Sequence, residues 1–163
     1  MFDQTLLDQA ATLLDACRAK GLKIATVESC TGGLVAGLLT EIAGSSDVVE
    51  RGFVTYSNQA KTQAVGVPEA LIASHGAVSK QVACAMAEGG LRHSSADLCI
   101  ALTGVAGPGG GSLEKPVGLV HLALAQRGKD TQHAECHFDP VSRNSIRMAA
   151  VAKALLMLQS AIT

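Results

Sequence analysis

The stretch from Lys23 to Ile42 constrains the fold more than any other, because a short buried strand runs directly into an amphipathic helix. Ile24–Val27 has strand character, and after Gly33 the apolar residues recur at the spacing of one helical face. Between the two lies a small polar elbow, Glu28-Ser29-Cys30-Thr31-Gly32-Gly33. A strand that leads at once into a helix is typical of folds in which helices cover a sheet.

The elbow at Glu28–Gly33 predicts a ligand site. The start of a helix presents free backbone N–H groups and a positive dipole end, and the two glycines would let a ligand approach the backbone. Ser29 and Cys30 stand there as candidate nucleophiles, and a helix N-terminus can lower the pKa of a cysteine. An ordinary turn with Thr31 or Ser29 as the N-cap explains the same residues, with Cys30 as a half-buried residue at the helix start.

Patterning along the rest of the chain predicts a single α/β domain over residues 1–163. The continuous apolar run Leu98–Leu102 is typical of a strand buried on both faces, whereas alternation in Thr131–Phe138 predicts one wet face. Further strands are expected at Val48–Tyr56 and Val117–Ala125. The order α-β-α-β-α-α-β-β-β-α predicts one mixed sheet covered by helices on both faces, with a first helix ending at Gly21, a second closing at Gly44, and later helices at Gln59–Val65, after Pro68, after Ser79 and at Ser142–Ser160.

Composition narrows the classes of function. Hydrophobic residues make up 48% of the chain and aromatic residues only 2%, so the core must be built from Ala, Val, Leu and Ile. A net charge of −1 argues against binding to nucleic acid or to an anionic membrane. No signal peptide and no apolar run approaching the roughly 18 residues of a membrane span are recognised. Five scattered cysteines are typical of reduced thiols, so a cytoplasmic location is expected.

Two further segments carry chemistry. The glycine-rich loop Thr103–Ser112 follows a predicted strand and could hold a phosphate or an oxyanion, although it matches neither the Walker A nor the dinucleotide motif. A flexible surface loop is the alternative. Tyr56 and Lys61 follow another strand, and a partly desolvated lysine can deprotonate a serine while a tyrosine relays the proton. A solvated lysine is the simple alternative. Ligands lie at the carboxyl ends of strands in such sheets, so these segments and the elbow are expected to converge.

No metal site is predicted. His133 and His137 would stand roughly 13 Å apart on a strand, too far to share one ion, and both are expected to be exposed. Arg143 lies in the first turn of the last helix, where the dipole disfavours a cation. Such a placement calls for an external anion, such as a phosphate, or for a carboxylate partner.

The longest distinctive stretches of the chain carry a resemblance to a known family. These stretches are Ala25–Gly33, Gly52–Asn58 with Ala60-Lys61, His75–Ser79, and Thr103–Gly111 with Lys115–Gly118. From Leu13 to Leu158 the chain resembles the stand-alone CinA C-terminal domain family, the nicotinamide mononucleotide amidohydrolases. The resemblance implies a three-layer αβα sandwich on a mixed, mostly parallel sheet of about five strands.

The resemblance also implies a reaction: hydrolysis of the carboxamide of nicotinamide mononucleotide to nicotinate mononucleotide and ammonia, in pyridine nucleotide recycling. The substrate is a small nucleotide, and no cofactor is implied. Ser29 would be the nucleophile, with Lys61 and Tyr56 as base and proton relay. The residues implied to line the site or hold substrate are Thr31, Gly32, Gly33, Thr103, Gly104, Gly107 and Arg143, with an oxyanion donor implied at Thr103 or Gly104.

The chain departs from the family pattern at Arg143, where it reads Val141-Ser142-Arg143 instead of Gly-Asp-Arg, with one extra residue after Phe138. Members of the family resemble dimers, so a homodimer is compatible with the resemblance, although nothing in the composition demands one. A non-catalytic nucleotide-binding or partner module, associated with competence or DNA damage, is the alternative function.

Overall fold

The computed structural model describes residues 1–163 and contains five strands and six α-helices. The strands are β1 Ile24–Glu28, β2 Val49–Val54, β3 Leu98–Gly104, β4 Leu119–Gln126 and β5 Gln132–His137. The helices are α1 Gln4–Lys20, α2 Leu34–Glu41, α3 Asn58–Val65, α4 Glu69–His75, α5 Lys80–Arg92 and α6 Arg143–Ile162. Helix α2, predicted to close at Gly44, ends at Glu41 because the chain becomes extended at Ile42, and a 3-10 turn follows at Ser45–Asp47.

The five strands form one sheet in the order β2-β1-β3-β4-β5. β1 pairs in parallel with β2 and β3, whereas β4 is antiparallel to both β3 and β5. Four strands therefore point the same way and β4 alone runs against them. The predicted mixed, mostly parallel sheet is confirmed.

Helices cover both faces of the sheet and make two hydrophobic clusters. Side chains from α1, α2 and α6 pack on one face, and side chains from α3, α4 and α5 pack on the other. Successive residues of β1 divide between the clusters, Ile24 to the first and Ala25 to the second, because neighbouring strand residues point to opposite faces. The architecture is a three-layer αβα sandwich.

Glycines let α5 pack closely on its neighbours. Gly89 and Gly90 both lie buried within this helix. A Cβ atom on Gly89 would lie 1.9 Å from the carbonyl oxygen of Val65, and one on Gly90 would lie 2.3 Å from Cys99 Sγ. The two glycines are therefore required by packing against α3 and β3, which fits a core with few aromatic side chains.

The parallel strands bring the chemically interesting segments together. In the register of the sheet, Glu28 at the end of β1 lies between Val54 of β2 and Leu102 of β3. The chain segments that follow these strands leave the same edge of the sheet, where β5 also ends and the chain turns into α6. The predicted convergence of the elbow, the Tyr56–Lys61 segment and the glycine-rich loop follows from this register.

Helix α6 is long and apolar enough to cross a membrane by length and composition alone, a property the sequence patterning did not predict. A helix buried in a protein core can have the same length and composition. Its side chains Val151, Ala154, Leu155 and Leu158 are fully buried against the sheet and α1. The apolar character of α6 is thus accounted for by the protein core.

The expectation that His133 is an exposed strand residue is wrong, whereas His137 is exposed as predicted. His121 of β4 is buried, and its Nδ1 lies 2.9 Å from Nε2 of the half-buried His133 of β5. The ring centroids are 5.2 Å apart and the planes differ by 23°, and one ring nitrogen donates a hydrogen bond to the other. The periodicity of the sequence does not predict this pair, because the contact between the two histidines depends on how β4 and β5 pair.

Because of this histidine pair, we expect the free energy of unfolding to fall at acidic pH. Burial lowers the pKa of both His121 and His133, and the charges of Lys80 and Lys115 act in the same direction, while Glu135 opposes them. Below about pH 6.5 the unfolded chain binds more protons than the folded one, so the free energy of unfolding falls as the pH falls. We expect His133→Gln to reduce this slope by at most about 1.4 kcal/mol per pH unit.

Urea unfolding between pH 5 and 7.5 measures the effect, with the exposed His75→Gln as the matched control. An unchanged acid slope in His133→Gln would contradict this account of the pair.

Candidate active site

Glu28 organises the elbow. Its carboxylate is fully buried and accepts hydrogen bonds from three backbone amides at the start of α2. Oε2 accepts from Gly33 N at 3.2 Å and Val35 N at 3.0 Å, and Oε1 accepts from Ala36 N at 2.9 Å. The side chain of Glu28 therefore satisfies the donors that a helix N-terminus otherwise leaves free.

This arrangement corrects two expectations about the elbow. Neither Ser29 nor Thr31 caps α2, since the N-cap position is Gly33 and carries no side-chain cap. The free amides expected to face a ligand are instead bound to Glu28. Gly32 and Gly33 have φ angles of 58° and 102°, so glycine is required there by the left-handed backbone.

Ser29 is freed by that arrangement to contact Lys61. The Nζ atom of Lys61 lies 3.0 Å from Ser29 Oγ and donates to the carbonyl oxygen of Thr55 at 3.0 Å. Lys61 is only 1% exposed and Ser29 8% exposed. The prediction that folding carries Lys61 to Ser29 is borne out geometrically, and the alternative of a solvated lysine is wrong.

The environment of Lys61 favours a neutral amine. Burial lowers the pKa of Lys61 below its ordinary value, and the first turn of α3 places it near the positive end of a helix dipole. A neutral amine can donate one proton to Thr55 and accept the Ser29 hydroxyl proton along the observed 3.0 Å contact. Ser57 caps α3 by accepting from Ala60 N, which holds Lys61 in place.

Cys30 is a poor nucleophile. Its side chain is buried in the hydrophobic cluster under α2, and burial raises the pKa of the thiol to about 11. The lowered pKa considered for a cysteine at a helix start is therefore wrong, because desolvation outweighs the helix dipole. Of the two candidates in the elbow, only Ser29 has a base in contact.

Tyr56 and Arg143 form a pair at the rim. Tyr56 is 62% exposed, and its hydroxyl accepts a hydrogen bond from Arg143 Nη2 at 2.9 Å. Nη1 of Arg143 donates to the carbonyl oxygen of Gly107 at 2.8 Å. The phenol makes no hydrogen bond with Ser29 or Lys61. The structure thus brings Tyr56 and Arg143 to the same edge as the serine but joins them to each other.

The glycine-rich loop is held in a defined shape. Gly107 has a φ of 73° and precedes Pro108 through a cis peptide bond. The buried Thr103 hydroxyl donates to Ala77 O at 2.8 Å, and Lys115 Nζ donates to His75 O at 2.6 Å.

Gly104 packs directly against β4, and a larger residue would not fit because a Cβ atom there would lie 2.7 Å from Leu119 O. All four segments that carry the family resemblance therefore meet at this edge.

Arg147 is a site residue that sequence reasoning missed. From the second turn of α6 its Nε donates to Cys30 O at 3.1 Å and its Nη2 donates to Thr31 O at 3.1 Å. The elbow pattern includes Glu28 but predicts no role for its side chain. The sole sequence signal for Arg147 was its position four residues after Arg143, which puts both on one helix face.

Arg143 and Arg147 bring two guanidinium groups without an ion-pair partner to this edge. The structure has four ion pairs, and none of them involves Lys61, Arg143 or Arg147. No group of three or more His, Cys, Asp or Glu side chains is arranged to hold a metal ion. The largest surface cavity, about 520 Å³, lies between α3 and α4, with Glu69 as its only charged side chain, and excludes Ser29. The site is therefore located by its buried contacts rather than by cavity size.

Comparison with known proteins identifies the family. The family model described as the CinA C-terminal domain matches residues 7–162. The chain belongs to the CinA C-terminal domain family.

Among curated members, the chain is 47% identical over 159 residues to the nicotinamide-nucleotide amidohydrolase PncC of Escherichia coli, a match that covers 97% of this chain and 95% of that protein. It is 51% identical over 140 residues to a CinA-like protein of Akkermansia muciniphila, covering 86% of this chain and 34% of that longer protein.

Solved structures of the CinA family have the same fold. The competence/damage inducible protein CihA from Agrobacterium tumefaciens superposes with a TM-score of 0.96 at 49% identity, covering 98% of this chain and 97% of the other. A CinA superfamily protein from Klebsiella pneumoniae gives a TM-score of 0.92 at 31% identity, covering 98% of both chains. The αβα sandwich is therefore the fold of the family.

Proposed function

We propose that this protein hydrolyses the carboxamide of nicotinamide mononucleotide to nicotinate mononucleotide and ammonia, with Ser29 as the nucleophile. The observation that carries the proposal is the buried 3.0 Å contact between Lys61 Nζ and Ser29 Oγ. The name of the Escherichia coli relative, a nicotinamide-nucleotide amidohydrolase at 47% identity, supports the choice of substrate.

In the proposed mechanism, the neutral Lys61 amine takes the Ser29 proton as Oγ attacks the carboxamide carbon. The tetrahedral intermediate collapses, the carbon–nitrogen bond breaks, and the nitrogen leaves as ammonia with a proton from the Lys61 ammonium. Water then attacks the acyl ester, Lys61 again acts as base, and nicotinate mononucleotide and free Ser29 result. The two steps together consume one amide and one water.

The proton relay through Tyr56 needs the substrate. Because the phenol contacts Arg143 and neither Ser29 nor Lys61, it can serve the leaving nitrogen only when the bound carboxamide lies between them. The amides of Cys30 and Thr31, which follow the nucleophile, make no hydrogen bond to another residue, and they suit an oxyanion better than Thr103, whose hydroxyl proton is bound to Ala77 O.

A phosphate is the natural partner for Arg143. A cation in the first turn of a helix opposes the dipole, and Arg143 has no carboxylate within ion-pairing distance. Its two observed contacts are to neutral oxygens, which leaves N–H groups and the full charge for a ligand. The elbow turn at Thr31–Gly33 and the loop at Gly107 would bound the rest of the nucleotide.

A non-catalytic nucleotide-binding module is the rival function. It gives no reason for burying a lysine amine against a serine hydroxyl, because that burial is unfavourable unless the amine has a task. Nucleotide binding with no ammonia release would select this rival.

Substitution of the two elbow candidates tests the nucleophile. We expect Ser29→Ala to lower ammonia release from nicotinamide mononucleotide at least about 10³-fold, since the covalent step is lost. Cys30→Ala should keep the rate within about threefold, because the thiol is buried and protonated. A coupled ammonia assay on the purified proteins measures both rates. Full activity in Ser29→Ala, or loss confined to Cys30→Ala, would refute serine catalysis.

The pH profile tests Lys61. Because only the neutral amine can act as base, kcat/KM should rise with pH through the lowered pKa of Lys61 and fall as the amine is protonated. Lys61→Met should abolish activity at every pH, because the base is lost. Its free energy of unfolding should change by less than about 1 kcal/mol, because the lost hydrogen bonds are offset by removal of a buried amine. If kcat/KM of the wild-type protein did not fall as the pH is lowered from alkaline to acidic values, Lys61 would be excluded as the base.

The substrate phosphate tests Arg143. Arg143→Gln should raise KM for nicotinamide mononucleotide at least about tenfold, since a charge-assisted contact is lost, and should leave kcat/KM for nicotinamide riboside, which has no phosphate, nearly unchanged. Arg92→Gln, an exposed arginine at the end of α5, is the matched control. Equal losses on the two substrates would mean that Arg143 does not hold the phosphate.

A further inference from the structure

Arg147 is bound to the backbone that follows the nucleophile. Its guanidinium spans two consecutive carbonyl groups, those of Cys30 and Thr31, each at 3.1 Å. It pairs with no carboxylate, although it is half-buried on the inner side of α6. Its charge therefore acts on the elbow itself.

Two backbone N–H groups of the elbow have no hydrogen-bond partner in another residue. Arg147 holds the carbonyl side, and the Glu28 carboxylate holds the amides of Gly33, Val35 and Ala36. The remaining amides of the turn are bonded within the backbone: Ser29 N to Leu102 O, Gly32 N to Ser29 O and Leu34 N to Thr31 O. Only the N–H groups of Cys30 and Thr31 have no partner in another residue.

The geometry of the peptide bond connects Arg147 to one of these donors. Cys30 O and the N–H of Thr31 belong to the same planar trans peptide, so they point in opposite directions. A guanidinium at the carbonyl end fixes the direction of the N–H and increases its positive charge. A donor held in this way stabilises developing negative charge without reorganising during the reaction.

We propose that Arg147 is a positioning residue that orients and polarises the Thr31 N–H, beside that of Cys30, to bind the oxyanion formed when Ser29 attacks the carboxamide. The inference rests on the proposed function. Arg147 touches neither the substrate nor Ser29; it acts through the peptide between Cys30 and Thr31. Glu28 completes the arrangement, because it removes the neighbouring amides from competition for the anion.

The test compares Arg147→Met and Arg147→Lys with a matched control at the opposite edge of the sheet. Arg127 also donates to backbone carbonyls, those of Leu91, Ser94 and Ala96, so Arg127→Met removes the same kind of contact far from Ser29. Steady-state ammonia release from nicotinamide mononucleotide gives kcat and KM, and thermal unfolding reports any general loss of structure.

We expect Arg147→Met to lower kcat about 10- to 100-fold, somewhat less than deletion of an oxyanion donor, with KM within about threefold of the wild type. Arg147→Lys should recover part of kcat, since an ammonium can hold one of the two carbonyls. Arg127→Met should lower the unfolding temperature and leave kcat unchanged. Should Arg147→Met not fold, Arg147→Lys and Arg147→Gln give the same comparison of kcat.

Undiminished kcat in the Arg147 variants of an active protein would overturn this inference alone. An equal fall of kcat in Arg127→Met would also overturn it, because the effect would then be general destabilisation. A wild-type protein that releases no ammonia would overturn the proposed function and this inference with it.

Discussion

The site depends on the contact between the buried amine of Lys61 and the Ser29 hydroxyl. Removing an ammonium from water is unfavourable, and no carboxylate lies within ion-pairing distance to offset that penalty. The protein tolerates the amine because burial lowers the pKa of Lys61 and so favours its neutral form, and because Thr55 O and Ser29 Oγ are its hydrogen-bond partners. The same burial favours a neutral amine beside the Ser29 hydroxyl, which is the form of Lys61 that the proposed mechanism requires. In the proposed mechanism, stability and chemistry are therefore coupled at this one contact.

At the elbow, the Glu28 carboxylate occupies the N-terminus of α2, so an external anion cannot bind to those backbone amides. A helix N-terminus after a glycine turn is a common phosphate site, yet here a buried carboxylate occupies it. The proposed function assigns the phosphate to Arg143 on α6, whereas Arg147 of the same helix is bound to the carbonyl groups of Cys30 and Thr31. Under the proposed function the phosphate and the reacting amide would therefore bind at different parts of one edge, with the backbone amides of Cys30 and Thr31 directly after the nucleophile in the chain.

Local patterns explain why most elements were predictable and why several contacts were not. The buried run of β3 and the start of α5 after Ser79 are signals within a few residues, and each appears where expected. The pairing of His121 with His133 depends on strand register, and the closeness of Gly89 and Gly90 to other elements depends on helix packing. Such contacts join distant residues, so no periodicity contains them.

The sequence alone determined the order of the elements, the mixed sheet, and the residues of the elbow, the Tyr56–Lys61 segment and the glycine-rich loop, because strand and helix periods and turn residues act locally. Tertiary structure decided which of them touch. It brought Lys61 to Ser29, turned Tyr56 toward Arg143, made Glu28 the cap of α2, and carried Arg147 across 116 residues to the elbow. These contacts arise from side chains that meet only when parallel strands end at one edge and the last helix packs over them.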